Sequence, residues 1–127
     1  FNVLDRFQKA AKLFCNSEDI VIRLCADSPL ISKRLLQDFA NNISSKFSFF
    51  STRYLEDGVF ISTTGKGNNI DAFTVAELAR LNEHNELVCE HIIYGFDYGS
   101  KFCLYKTEQI FNQNECIDTL DDYHRLS

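Results

Sequence analysis

The sequence contains no Met and no Trp, a single Pro and only five Gly in 127 residues. With no Met at all, the initiator is expected to have been removed or left out. No apolar run approaches the roughly 20 residues that a membrane-spanning helix needs, so a spanning segment is not expected. The start, Phe1-Asn2-Val3-Leu4-Asp5, lacks the basic region and apolar stretch of a secretory signal, which predicts a cytoplasmic protein. Without such a signal, the formal glycosylation acceptor Asn42-Ile43-Ser44 carries no weight. Lys and Arg number 13 against 18 Asp and Glu, a net charge of -5. An acidic chain lacks the clustered cations that binding a nucleic-acid backbone requires, so no nucleic-acid partner is expected. The five cysteines are scattered and odd in number, with no CxxC among them. That excludes a disulfide framework, a zinc site and a redox dithiol, and leaves free thiols in a reducing compartment.

What is present is a composition for one compact core. Hydrophobic residues make up 45% and charged residues 24%, too apolar and too weakly charged for a disordered chain. The first half has the helical period. Leu4, Phe7, Ala11 and Phe14 share one stripe. Ser17 and Asp19 resemble the cap and acidic first turn of a short second helix through Cys25. Ser28 and Pro29 suit the cap and first position of a third, whose stripe is Ile31, Leu35, Phe39 and Ile43. The second half alternates. Phe47 to Leu55 suits a half-buried strand, and Asp57-Gly58 signals a hairpin into Val59–Thr64. Residues 70–81 mix strand formers with the helix formers Ala76-Glu77-Leu78-Ala79-Arg80. Context favours a strand there, because Asn82–Asn85 is turn chemistry and 87–96 is strand-like. Lys101–Tyr105 reads as one more short strand. The acidic tail from 106 to 127 has room for one or two short helices. Helices over 1–45 followed by an antiparallel sheet over 46–105 define a single α+β domain with helices on one face.

Two segments carry a resemblance to a known family. Ser17-Glu18-Asp19-Ile20-Val21-Ile22-Arg23-Leu24-Cys25-Ala26-Asp27 is similar to the early helix of the nuclear transport factor 2-like superfamily, which contains ketosteroid isomerases and polyketide cyclases. Ala76–Val88 resembles that group's acidic-x-x-Arg-apolar strand pair, and Ile92-Ile93-Tyr94-Gly95-Phe96 the aromatic end of its next strand. The resemblance spans residues 4 to 97. It implies a cone, a curved antiparallel sheet wrapped around the N-terminal helices with an apolar pocket at the open end, and homodimers through the sheet face. Glu77 matches the position where the isomerases hold a protonated acid that donates to a developing oxyanion, as an apolar site permits. The segment that carries the isomerases' general base is missing after Asp27-Ser28-Pro29-Leu30, and Lys9 falls where their tyrosine stands.

On a hairpin turning at 82–85, Glu77 would face Glu90 among apolar neighbours. Two enclosed carboxylates repel, so one would keep a proton and serve as acid or base, whereas on a solvated face they would only keep the sheet soluble. His91 would be a pocket acid–base group or a hydrogen-bonded core residue, and Asp97 a further acid or a turn cap. Phe47, Phe49, Tyr54, Phe60, Phe73 and Tyr94 are the candidate lining of a pocket for a small apolar ligand, or else ordinary core. His84 and His124 have no ligand partners at metal spacing, and Gly65-Lys66-Gly67 is not a phosphate loop, so no metal or cofactor is expected. The functional expectation is a small-molecule pocket protein with isomerase-, cyclase- or dehydratase-like chemistry. The alternative is a non-catalytic homodimeric interaction or carrier module.

Overall fold

The computed structural model describes residues 2–108 and 117–127. Cys116 and the apolar points Ile110 and Phe111 lie outside these. Helix α1 (Val3–Phe14) is capped by Asn2, whose side chain accepts from the Asp5 amide. It is followed by strand β1 (Ile20–Arg23), helix α2 (Lys33–Asn41), and strands β2 (Phe49–Ser51), β3 (Arg53–Glu56), β4 (Val59–Ser62) and β5 (Asp71–Thr74). Short helices α3 (Val75–Arg80) and α4 (Glu86–Glu90), a 3-10 turn over Ile92–Tyr94, strand β6 (Phe102–Leu104) and helix α5 (Leu120–Leu126) complete the order.

The main sheet is mixed, in the order β1-β5-β2-β6, while β3 and β4 form a separate ribbon. β5 runs antiparallel to both β1 and β2, and β6 runs parallel to β2. β1, β2 and β6 therefore point the same way, with β5 reversed between two of them. Opposed residues share a face, which sorts the core into two layers. Phe49, Phe73 and Phe102 meet α1, α3 and α4 through Leu4, Ala11, Leu78 and Val88. Phe50, Ala72 and Cys103 meet α2 through Leu35 and Phe39, and Tyr105 joins them. Phe49 anchors the first layer, stacked on Phe96 at 4.4 Å between centroids and tilted against Phe102 at 5.2 Å. Fully burying a ring of this size is worth about 1.5–3 kcal/mol.

The α+β class stands, with helices on both faces of the sheet rather than one. The sheet is not wholly antiparallel, and among the described residues it ends in two open edges rather than closing into a barrel. Several elements differ from the sequence expectation: the single strand expected over Phe47–Leu55 breaks at Thr52 into β2 and β3 of different sheets, and the strand expected over 87–96 is instead α4 and a 3-10 turn. Residues 20–23 are a strand within the segment expected to be helical, because Ile20-Val21-Ile22 is a β-branched run and β5 offers it a partner. The third helix starts at Ser32, whose hydroxyl accepts from the Leu35 amide, and not at Ser28-Pro29. Its stripe of Ile31, Leu35, Phe39 and Ile43 does pack into one layer. The largest change is at 75–90. Thr74 ends β5 and at once caps α3, its hydroxyl accepting from the Glu77 amide. Asn85 caps α4 in the same way through Val88. Two side-chain caps and a run of good helix formers override the strand reading, so the 76–88 strand pair is not formed.

The Asp57-Gly58 hairpin is present between β3 and β4, with both residues at positive φ as such a tight turn requires. In the tail, α5 carries a reciprocal cap between Thr119 and Asp122 and buries no residue.

Candidate functional site

Without the 76–88 strand pair, the expected acid–base cluster does not assemble. Glu77 lies on α3 and is held at 2.7 Å by Arg80 one turn on. Glu90 is exposed at the end of α4, so the two carboxylates do not face one another. His91 is exposed at the C-cap of α4, and its ring lies 6.3 Å from Tyr94. Asp97 is exposed and caps its own turn, accepting from the Gly99 amide. These three are not brought together. Of the expected lining, Phe49 and Phe73 are core, and Phe47 packs edge-on to Phe50. Phe60 packs on Tyr94 at 4.8 Å, and Tyr54 lies in a groove between the β3–β4 ribbon and Phe102. No single hollow gathers all six.

The structure instead concentrates buried charge at one end of the main sheet. Register places Arg23 of β1 and Ser51 of β2 on either side of Asp71, at the start of β5. The Asp71 side chain is only 2% exposed and carries two guanidiniums, Arg23 and Arg53, each 2.9 Å from Oδ2. Arg53 Nε also donates to Oδ1 at 3.4 Å. Ser51 donates to Oδ1 at 2.6 Å, and its oxygen in turn accepts from the Arg53 amide. A buried carboxylate is tolerated only when paired and hydrogen-bonded, and this one is both. Burial works against the charge on Arg53. The charge of Asp71 and its hydrogen bond outweigh that, and the guanidinium pKa rises further above its ordinary value. Arg53 also lies 5.5 Å over the Phe60 ring. Beside the cluster, burial and the nearby Asp71 charge push the Tyr98 hydroxyl well above the usual phenol range, and it donates to the Ile93 carbonyl at 2.8 Å.

Counting charge decides what this end can bind. Two cations share one anion, so the triad keeps about one positive charge beneath partly desolvated surface. Of its three members, Arg23 reaches a cleft of about 820 Å³ between α1 and the end of β1, lined also by Arg6, Lys9, Cys25 and Asp27 among others. That lining carries the cations Arg6, Lys9 and Arg23 and the carboxylate Asp27, a set compatible with an anionic ligand, with Arg23 already paired to Asp71. Lys9 contributes less, since Asp5 pairs with it in solvent at 2.8 Å. The cleft lies at the C-terminal end of β1, and β2 and β6 run the same way, so it is on the side of the sheet where loops most often build ligand sites. A second groove of about 650 Å³ runs between α1 and α3, lined by Ala11, Leu78, Leu81, Lys12 and His84 among others. Among the described residues, no group of three His, Cys, Asp or Glu converges.

Sequence reasoning missed Arg23, Arg53, Asp71 and the cleft. One signal was available: Asp71 interrupts Ile70 and Ala72-Phe73, and a carboxylate inside a run that must be buried needs a cationic partner.

No family model matches the sequence, and no curated protein matches it. The fold is similar to a solved structure described as a cytidylyltransferase from Leptospira borgpetersenii serovar Hardjo-bovis (strain JB197), with a TM-score of 0.79 and 26% identity. The match covers 98% of this chain and 53% of that one, so the chain spans about half the length of that neighbour.

Proposed function

We propose, with that likeness as premise, that this chain is part of a nucleotidyl-transferring enzyme of the cytidylyltransferase kind, and that the cleft beside β1 takes the phosphates of its nucleotide. The observation that carries the reading is similarity in both backbone and sequence over 98% of the chain. The physical support is the charge of the cleft. In such a reaction an acceptor oxygen forms a bond to the α-phosphorus of CTP, and pyrophosphate leaves with the electron pair of the broken P–O bond. Negative charge accumulates on the phosphates, and preorganised guanidiniums stabilise it more effectively than water does. Asp71 would orient Arg23 before the nucleotide arrives, so that less conformational freedom is lost on binding. An acidic chain suits this role, because one nucleotide needs a local cationic pocket and not a basic surface.

The nuclear transport factor 2-like reading, with a pocket for a small apolar molecule and Glu77 as its acid, has less support. Glu77 is tied to Arg80 at the surface of α3, and the carboxylates that would have made it a proton donor are apart. The 650 Å³ groove is the feature that would favour a ligand-carrier role instead.

The test is calorimetric titration of the protein, at its natural length, with CTP, ATP and pyrophosphate. CTP should bind more tightly than ATP, and Arg23→Gln should weaken CTP binding by about tenfold or more, the loss expected for a charge-assisted phosphate contact. A folded protein that binds no CTP at millimolar concentration, or an Arg23→Gln variant that binds it unchanged, would overturn the proposal.

A further inference from the structure

Strand β1 is the part of the fold whose chemistry is least satisfied. Among the described residues it pairs with β5 alone and lies at one edge of the main sheet, so alternate residues turn their N–H and C=O groups away from any described strand partner. Its sequence is nonetheless not that of an edge strand. Ile20-Val21-Ile22 is a continuous apolar run, the pattern of a strand covered on both faces. Natural edges are instead blunted with charge, Pro or bulges, and β1 has neither Pro nor a charge before Arg23.

One of its two faces is covered. Val21 lies opposite Phe73 and packs into the α1 layer. Ile20 and Ile22 point to the other side, with Ile22 opposite Ala72. There α2 covers Ala72 and Phe50, and Ile20 and Ile22 are each left 38% exposed. A free hydrogen-bonding edge and an uncovered apolar face therefore meet on the same strand.

We infer that β1 is an internal strand of a larger sheet, and that its free edge is occupied by a strand from a part of the same protein outside residues 1–127, with apolar side chains of that part covering Ile20 and Ile22. The occupant is chosen on length. The neighbour of matching fold joins this architecture to a further portion of chain that residues 1–127 do not cover, since they match only 53% of it. The required chemistry is a β-branched strand with an apolar layer behind it. The inference stands on the β1 edge and goes beyond the nucleotide reading, which can fail without it.

Hydrogen exchange tests it by comparing residues 1–127 with the protein at its natural length. The β1 amides that point away from β5 should exchange at least 100-fold more slowly in the longer chain. Ile22→Lys should remove at least tenfold of that protection, while Val59→Lys, on the separate ribbon, should not. Far-UV circular dichroism establishes that the Ile22→Lys chain still folds, and the wild-type comparison decides without it if the variant does not. Equal exchange of β1 in both proteins would overturn the inference, as would a natural chain no longer than residues 1–127. Protection of β1 in residues 1–127 that rises with concentration alongside a dimer in light scattering would also overturn it, assigning the edge to a second copy.

Discussion

Replacing Asp71 by Asn removes one charge and almost no volume, and so isolates what that carboxylate does. The side chain is 2% exposed, and the two guanidiniums on it have side chains 15% and 17% exposed. Breaking a buried ion pair by deleting one partner costs about 3–5 kcal/mol, because the other charge is left uncompensated. Here two cations are stranded beside each other, which adds repulsion, but both keep some contact with water, which reduces the loss. Asn can still accept from Ser51. Weighing these, Asp71→Asn should destabilise the fold by about 3 kcal/mol, or about 10 °C in Tm for a domain of this size. Urea unfolding followed by circular dichroism measures it, with an unchanged m-value showing that the unfolded state is not altered. Adding Arg53→Gln to Asp71→Asn should recover about 1 kcal/mol, since it removes one of the two stranded cations. A single variant within about 0.5 kcal/mol of the parent would behave like a surface substitution and refute the account of the triad.

Three further outcomes are expected. Gly95→Ala should cost about 1–3 kcal/mol in thermal unfolding, because an added Cβ would stand 2.8 Å from both Leu81 Cδ2 and Val88 Cγ1, two buried core side chains that would have to shift. The Tyr98 pKa is raised by burial, so its contribution to stability is complete below the unfolded value of about 10 and is lost as pH climbs above it. Urea midpoints between about pH 9 and 11 should therefore fall, and Tyr98→Phe should flatten part of that slope, Tyr105 being raised in the same direction. Asp122 is held down at about 2, first by its hydrogen bond from Arg125 and then by Thr119. The cap on α5 should accordingly persist above the ordinary carboxylate range and fray as pH falls from 3.8 towards about 2. Amide chemical shifts of residues 119–123 would report that, and shifts unchanged across the interval would contradict it.

The elements best read from sequence were those whose signal is local. The α1 stripe, the Ile31–Ile43 stripe and the Asp57-Gly58 turn each lie within a few residues, and the structure contains all three except for Phe14, the last member of the α1 stripe, which is 83% exposed. The misreadings arose where one short segment changes period. Phe73-Thr74-Val75 reads as three strand formers, yet Thr74 is at once the last residue of β5 and the cap of α3, so the alternation runs straight into a helix. Ile20-Val21-Ile22 is too short for periodicity to separate a buried helical turn from a strand, and its partner is far along the chain. The same distance hid the site. Arg23 and Asp71 are 48 positions apart and meet only through the β1–β5 register, which no local pattern encodes.

The order of strands also sets how this chain must find its structure. Ile20 lies opposite Thr74 and Phe49 opposite Phe102, so the main sheet has no turn that can zip two of its neighbours together. The β3–β4 ribbon can close on its own within microseconds. Everything else must wait for distant segments to meet, an entropic search that places this topology among slow folders. During that wait the Phe-rich stretch around Phe47, Phe49 and Phe50 is open to solvent, which makes synthesis at low temperature or beside a chaperone the natural setting for recovering the protein intact.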